Sequence, residues 1–101
     1  MTRKSLDRLG RKLAGEGRRG WLTPEGIFFE SEETPPVLGP GQLGGHERAA
    51  LQWLLANDLE LFGKLEEIGV QQGFEYWEDS AGTNTIKNFM FEQGFVRVAP
   101  E

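Results

Sequence analysis

The chain has 101 residues, a net charge of −5 and no cysteine. Its length fits one domain that can bury a core without cross-links, and the lack of cysteine excludes disulfides, thiolate metal sites and cysteine nucleophiles. No apolar run approaches the ~18 residues of a membrane-spanning helix, so we expect a cytoplasmic protein without a membrane role.

Charge divides the chain into two parts. Residues 1–20 carry seven basic and two acidic residues, a net charge of +5, whereas residues 21–101 carry four basic and fourteen acidic residues, a net charge of −10. We therefore separate a basic N-terminal helical segment, residues 1–19, from a single globular α+β domain, residues 20–101. The acidic character of the domain favours a partner with a basic surface.

Residues 2–15 predict a short helix, because Leu6, Leu9 and Leu13 recur at spacings of three and four and share one face. Gly10 in the middle costs about 1 kcal/mol relative to alanine, which makes the helix marginal unless it packs on something. Few large apolar side chains tie this segment to a core, so we expect it to be separable: its removal should leave the domain folded.

A β-hairpin is predicted for residues 20–30. Its turn is Thr23-Pro24-Glu25-Gly26, with proline second and glycine fourth, as a type I turn prefers. Ile27 and Phe29 share one face of the returning strand, and we expect both to point inward. Residues 31–45 then form a loop, because three prolines and four glycines oppose regular structure.

Two helices follow the loop. The apolar pattern of residues 46–57 is the clearest in the chain. Asp58 is placed to cap a second helix that runs to Ile68, and Gly69 then occupies the left-handed position at which many helices end.

A third core helix runs from Thr83 or Thr85 to Gly94, and residues 74–77 and 95–98 predict short strands. Strands and helices do not alternate strictly, so the predicted fold class is α+β. We expect a small, mostly antiparallel sheet of three or four strands, packed on one face by about three helices, plus the basic N-terminal helix. The residues expected to be largely buried are Trp21, Phe29, Leu51, Leu54, Phe62, Phe89 and Val96.

Three segments together carry a recognisable pattern. They are Trp21-Leu22-Thr23-Pro24-Glu25-Gly26, then His46 with Ala49 or Ala50 near a helix start, and finally Gly94-Phe95-Val96-Arg97-Val98. This pattern resembles one found in short uncharacterised phage and bacterial proteins, with a similar hairpin turn and closing strand. The resemblance implies a phage or mobile-element source and brings no activity with it.

His46 is the only histidine, and it follows two glycines at a predicted helix start. A general base or a metal ligand needs partners, and the sequence has no second histidine, no cysteine and no recognisable nucleophile. We therefore expect a structural His46, no catalytic residue, no metal site, no cofactor and no enzymatic activity. On this view His46→Ala leaves function intact.

One run of residues mixes aromatic and acidic side chains, and exposed tyrosine and tryptophan are favoured at binding surfaces. The candidate partner-binding residues are Glu75, Tyr76, Trp77, Glu78 and Asp79. Together with the acidic domain, they predict a non-enzymatic accessory protein, an inhibitor or adaptor, that engages the basic surface of a partner protein. Homo-oligomerisation is left open.

The alternative interpretation is a nucleic-acid-binding accessory protein that acts through the basic segment, since clustered lysine and arginine side chains neutralise phosphates. The candidate nucleic-acid contacts are Arg3, Lys4, Arg8, Arg11, Lys12, Arg18 and Arg19. A third interpretation is a solvated helix whose charges pair with the acidic body of the same chain or of a neighbouring copy.

Overall fold

A computed structural model describes residues 2–31, 43–73 and 80–100. In chain order they form α1 (Arg3–Gly15), β1 (Gly20–Leu22), β2 (Phe28–Glu30), α2 (Gly45–Asn57), α3 (Leu59–Gln71), α4 (Ser80–Glu92) and β3 (Val96–Val98). Within these ranges the protein is α+β, with four helices and one three-stranded antiparallel sheet, as the sequence predicts. No helix of the described ranges is long and apolar enough to cross a membrane. The strand predicted at 74–77 lies outside the described residues.

The short strand β1 is the centre of the sheet, with β2 on one side and β3 on the other. Trp21 of β1 lies opposite Phe29 and Arg97, whereas the next residue, Leu22, lies opposite Phe28. Successive side chains of a strand point to opposite faces, so these two rows belong to different faces of the sheet.

Helices cover both faces of this sheet. Trp21 and Phe29 pack in a core with α2, α3 and α4, whereas Leu22 packs with Leu6 and Leu13 of α1. The prediction that helices cover a single face is therefore wrong. The reason lies in β1, whose side chains are fully buried on either face, so that each face needs an apolar cover.

The larger core lies between the sheet and the three later helices. Its buried residues are Trp21, Leu43, Ala50, Leu54, Leu65, Ile86, Phe89, Met90 and Phe95. Three of the seven predicted core residues are confirmed as buried, namely Trp21, Leu54 and Phe89. The other four are partly buried at the margins of the two cores: Phe29, Leu51, Phe62 and Val96.

The turn between β1 and β2 has the form that its sequence predicts. The Gly26 amide donates to the Thr23 carbonyl at 2.9 Å, and the Thr23 hydroxyl accepts from the Ile27 amide at 3.0 Å. Gly26 has a φ of 89°, a value that glycine adopts without steric cost. Ile27 is 60% exposed, so its predicted inward orientation is wrong. It belongs to the turn, and the paired strand begins only at Phe28.

The ends of α3 show one cap that the sequence predicts and one that it misplaces. The Asp58 carboxylate accepts from the Leu61 amide at 3.1 Å and caps the start of the helix. The predicted end at Gly69 is wrong, because Gly69 is buried within α3 and the helix continues to Gln71. The residue with positive φ is Gly73, two positions beyond the helix.

An apolar face anchors α1 to the sheet. Leu6 and Leu13 are 4% and 8% exposed and pack on Leu22. Gly10 lies between them and is buried; a Cβ at this position would lie 3.3 Å from a methyl carbon of Val96. The expectation that few apolar side chains tie this segment to a core is therefore wrong. Gly10, which weakens an isolated helix, lets this helix approach the sheet closely.

Candidate functional site

The basic side chains of α1 lie on the side of the helix that faces away from the sheet. Leu6, Gly10 and Leu13 are its buried residues and recur with helical spacing on the inner side. On the opposite side are four exposed cations, which we call the outer face of α1: Lys4, Arg8, Arg11 and Lys12. The packing of the leucines therefore fixes the direction in which these charges point.

Carboxylates of the described residues form no ion pair with the outer face of α1. Among the described residues the basic segment has two ion pairs, Arg3 Nε to Asp7 Oδ1 at 3.3 Å and Arg18 Nη2 to Glu30 Oε1 at 3.0 Å. Across the described ranges, no residue of the outer face takes part in an ion pair. Within those ranges, the four charges are therefore available to an external anion and do not pair with the acidic body of the same chain.

Three residues of the outer face line one shallow depression of about 380 Å³: Lys4, Arg8 and Arg11. Residues three and four positions apart on a helix have Cβ atoms about 5–6 Å from each other. Like charges at this spacing destabilise a helix by ~0.2–0.5 kcal/mol per pair, and an anion bound between them removes that repulsion. The depression therefore suits a phosphate group.

Of the other predicted nucleic-acid contacts, Arg3 lies on α1 but is paired with Asp7, and Arg18 and Arg19 lie outside the helix. Arg18 is held by β2, because it pairs with Glu30 and its guanidinium lies 4.6 Å from the centre of the Phe28 ring. Arg19 instead lies close enough to His46 to act on it electrostatically. The seven predicted contacts therefore do not form one surface. Four of them lie together, on the outer face of α1.

The lone histidine lies where the hairpin meets α2. His46 is 6% exposed; its main-chain carbonyl accepts from the Trp21 indole N–H at 2.8 Å, and its Nδ1 lies 2.8 Å from the Ser31 hydroxyl oxygen. The Trp21 and His46 rings also meet edge to face, with centroids 6.2 Å apart. Arg97 lies opposite Trp21 in the sheet, so the three segments that carry the resemblance meet at this junction.

The chemistry of this junction favours a structural role for His46. Burial, with the positive charges of Arg97 and Arg19, lowers the pKa of His46 from 6.5 to about 4. The imidazole is therefore neutral at pH 7, and its pKa lies well below the value that suits a general base at that pH. The described residues contain no group of three His, Asp or Glu side chains that could hold a metal ion. That His46→Ala leaves function intact stays a prediction.

Sequence reasoning did not identify the partners of His46. Ser31 is 15 residues away along the chain, and a predicted loop lies between the two. Arg97 reaches the junction only through the register of β3 on β1. Contacts between residues this far apart in the chain depend on strand pairing and produce no local sequence pattern.

The predicted partner-binding residues 75–79 lie outside the described residues. The described part of the acidic surface includes three exposed glutamates of α3: Glu60, Glu66 and Glu67. On the same helix, Leu59 and Val70 are 68% and 77% exposed. This helix therefore presents apolar side chains among negative charges.

No protein-family model, no curated protein and no solved structure matches this chain.

Proposed function

We propose that this protein binds nucleic acid through the outer face of α1, as a non-enzymatic accessory protein. One observation carries the proposal: four exposed cations, which form no ion pair with any described residue, lie on one side of a helix whose other side is buried against the sheet. Because the helix is already fixed, binding does not have to order it, and less free energy is lost on association.

An anionic membrane surface fits α1 less well than nucleic acid does. An amphipathic helix binds a membrane by burying its apolar side among the lipids. The apolar side of α1 includes Leu6 and Leu13, which are already buried against the sheet. Only the charges are left for an external partner, and a phosphate backbone is a polyanion that such charges can bind without an apolar contact.

A protein partner with a basic surface is the second candidate. The aromatic and acidic run at 75–79 is the basis of this proposal, and α3 adds support, since Leu59 and Val70 are exposed on a helix with three exposed glutamates. Exposed apolar side chains flanked by charged ones are found at many docking surfaces. An inhibitor or adaptor would use this surface, which involves no residue of α1, so substitutions separate the two candidates.

Binding of fluorescently labelled oligonucleotides tests the first candidate. Arg8→Gln/Arg11→Gln removes two charges of the outer face and no buried contact, and should weaken binding by about tenfold or more. Lys64→Gln removes an exposed cation of α3 and is the matched control, with an expected change of less than about twofold. Equal weakening by both variants would contradict the proposal, as would the absence of binding by the wild-type protein.

A further inference from the structure

A cleft of about 810 Å³ lies between α1 and the last strand. Its lining residues include Asp7, Arg11 and Gly15 on the helix, and Arg97 and Ala99 on β3 and the residue that follows it. The other residues that line the cleft on the helix side are glycine or alanine, so few side chains project from the helix into it. The volume lies within the range of about 300–1,000 Å³ that is usual for small-molecule sites.

This cleft adjoins the outer face of α1. Arg11 lines both the cleft and the depression on the outer face. Asp7, the acidic residue of the cleft lining, is paired with Arg3 at 3.3 Å. The charge of Arg11 is therefore not balanced by Asp7, and an anionic chain that crosses the outer face can continue along Arg11 into the cleft.

We propose that the cleft seats an unpaired nucleotide, so that the nucleic acid bound by the outer face of α1 is single-stranded. This inference rests on the proposed function and names its substrate class. A base within a duplex must be unpaired and unstacked before it enters a pocket, which opposes binding, whereas a base of a single strand is free to enter. Guanidinium planes stack on bases, which gives Arg11 a role beyond charge.

Two positions allow the cleft to be filled without disturbing the fold. A Cβ added at Gly15 meets no atom within 4 Å, and Ala99 is exposed on the opposite wall. Gly15→Leu/Ala99→Leu therefore narrows the cleft from both sides and leaves the outer-face cations in place. Gly15→Ala/Ala99→Ser changes the same positions with small side chains and is the matched control.

The experiment measures the affinity of the full chain for an oligonucleotide of about 12 nucleotides, single-stranded and as a duplex of the same sequence. We expect the single strand to bind about tenfold or more tightly than the duplex. We also expect Gly15→Leu/Ala99→Leu to remove most of that difference, by weakening single-strand binding alone, whereas the control variant behaves as wild type.

The same measurements distinguish failure of this inference from failure of the proposed function. Equal affinity for single strand and duplex, or a single-strand affinity that filling the cleft does not change, would overturn the inference. If Arg8→Gln/Arg11→Gln still weakens binding in that case, the proposed function stands. If the wild-type protein binds neither form, the inference and the proposed function both fail.

Discussion

Replacing Leu6 and Leu13 with alanine removes the two most deeply buried side chains that α1 packs on the sheet. They are 4% and 8% exposed and contact Leu22 and Val98. Leucine-to-alanine changes in buried sites cost ~2–5 kcal/mol, and this cluster is small, so we expect about 2–3 kcal/mol for each change and about 5 kcal/mol for both. That loss is comparable with the whole free energy of unfolding of a small domain, ~5–15 kcal/mol. Deletion of residues 1–17 should accordingly lower the Tm strongly.

Urea unfolding followed by tryptophan fluorescence measures this loss. Leu59→Ala is the matched control, because Leu59 is 68% exposed and its truncation should change the free energy of unfolding by less than about 0.5 kcal/mol. A Leu6→Ala/Leu13→Ala protein within about 1 kcal/mol of wild type would refute the reasoning. So would an unchanged Tm for the chain without residues 1–17, since α1 would then be dispensable for the fold.

Four further predictions concern stability at other positions of the chain. Gly15→Ala should raise the free energy of unfolding by up to about 1 kcal/mol, because the position is helical and open. Gly20→Ala should lower it, because a Cβ there would overlap the Phe29 carbonyl oxygen; thermal melting that ranks the two variants the other way would contradict both statements. Phe89→Ala should cost ~3–5 kcal/mol in urea unfolding, since Phe89 is 3% exposed, and a loss below ~1 kcal/mol would show that it is not a core residue. Because the pKa of His46 falls from 6.5 to about 4 on folding, the unfolded chain binds more protons between these values. The His46 contribution is therefore complete above pH 6.5, and about 2 kcal/mol of stability is lost from pH 7 to pH 5. Urea unfolding at both pH values should show a smaller loss in His46→Gln than in wild type, and equal losses would contradict the assignment.

The sequence correctly predicted features that depend on one residue and its near neighbours, such as a helix cap or a turn. Asp58 caps α3 and Gly26 closes the hairpin turn, as expected from their residue types. The predictions that failed concern a helix end and a side-chain orientation, both of which depend on tertiary packing and strand pairing. Gly69 is buried within α3, which continues two residues beyond it, and Ile27 remains exposed because strand pairing begins one residue later.

The sequence predicted the basic residues of the candidate site, but it did not predict how α1 packs on the sheet. The basic residues of α1 and the spacing of Leu6 and Leu13 were both apparent, and together they define the outer face. What the sequence did not reveal is that these leucines have partners in Leu22 and Val98, which lie on strands remote in the chain. Without that contact the helix looked separable, although it forms a layer of the fold.

The salt dependence of nucleic-acid binding tests the role of the outer face of α1 most directly. With four phosphate contacts, a plot of the logarithm of the association constant against the logarithm of salt concentration should have a slope of about −3 for single-stranded DNA. The outer-face variant combines four changes: Lys4→Gln, Arg8→Gln, Arg11→Gln and Lys12→Gln. Its slope should fall close to zero while the protein stays folded by circular dichroism, because none of the four side chains is buried. A wild-type slope near zero, or a steep slope that the folded variant retains, would contradict the assignment of nucleic-acid binding to this face.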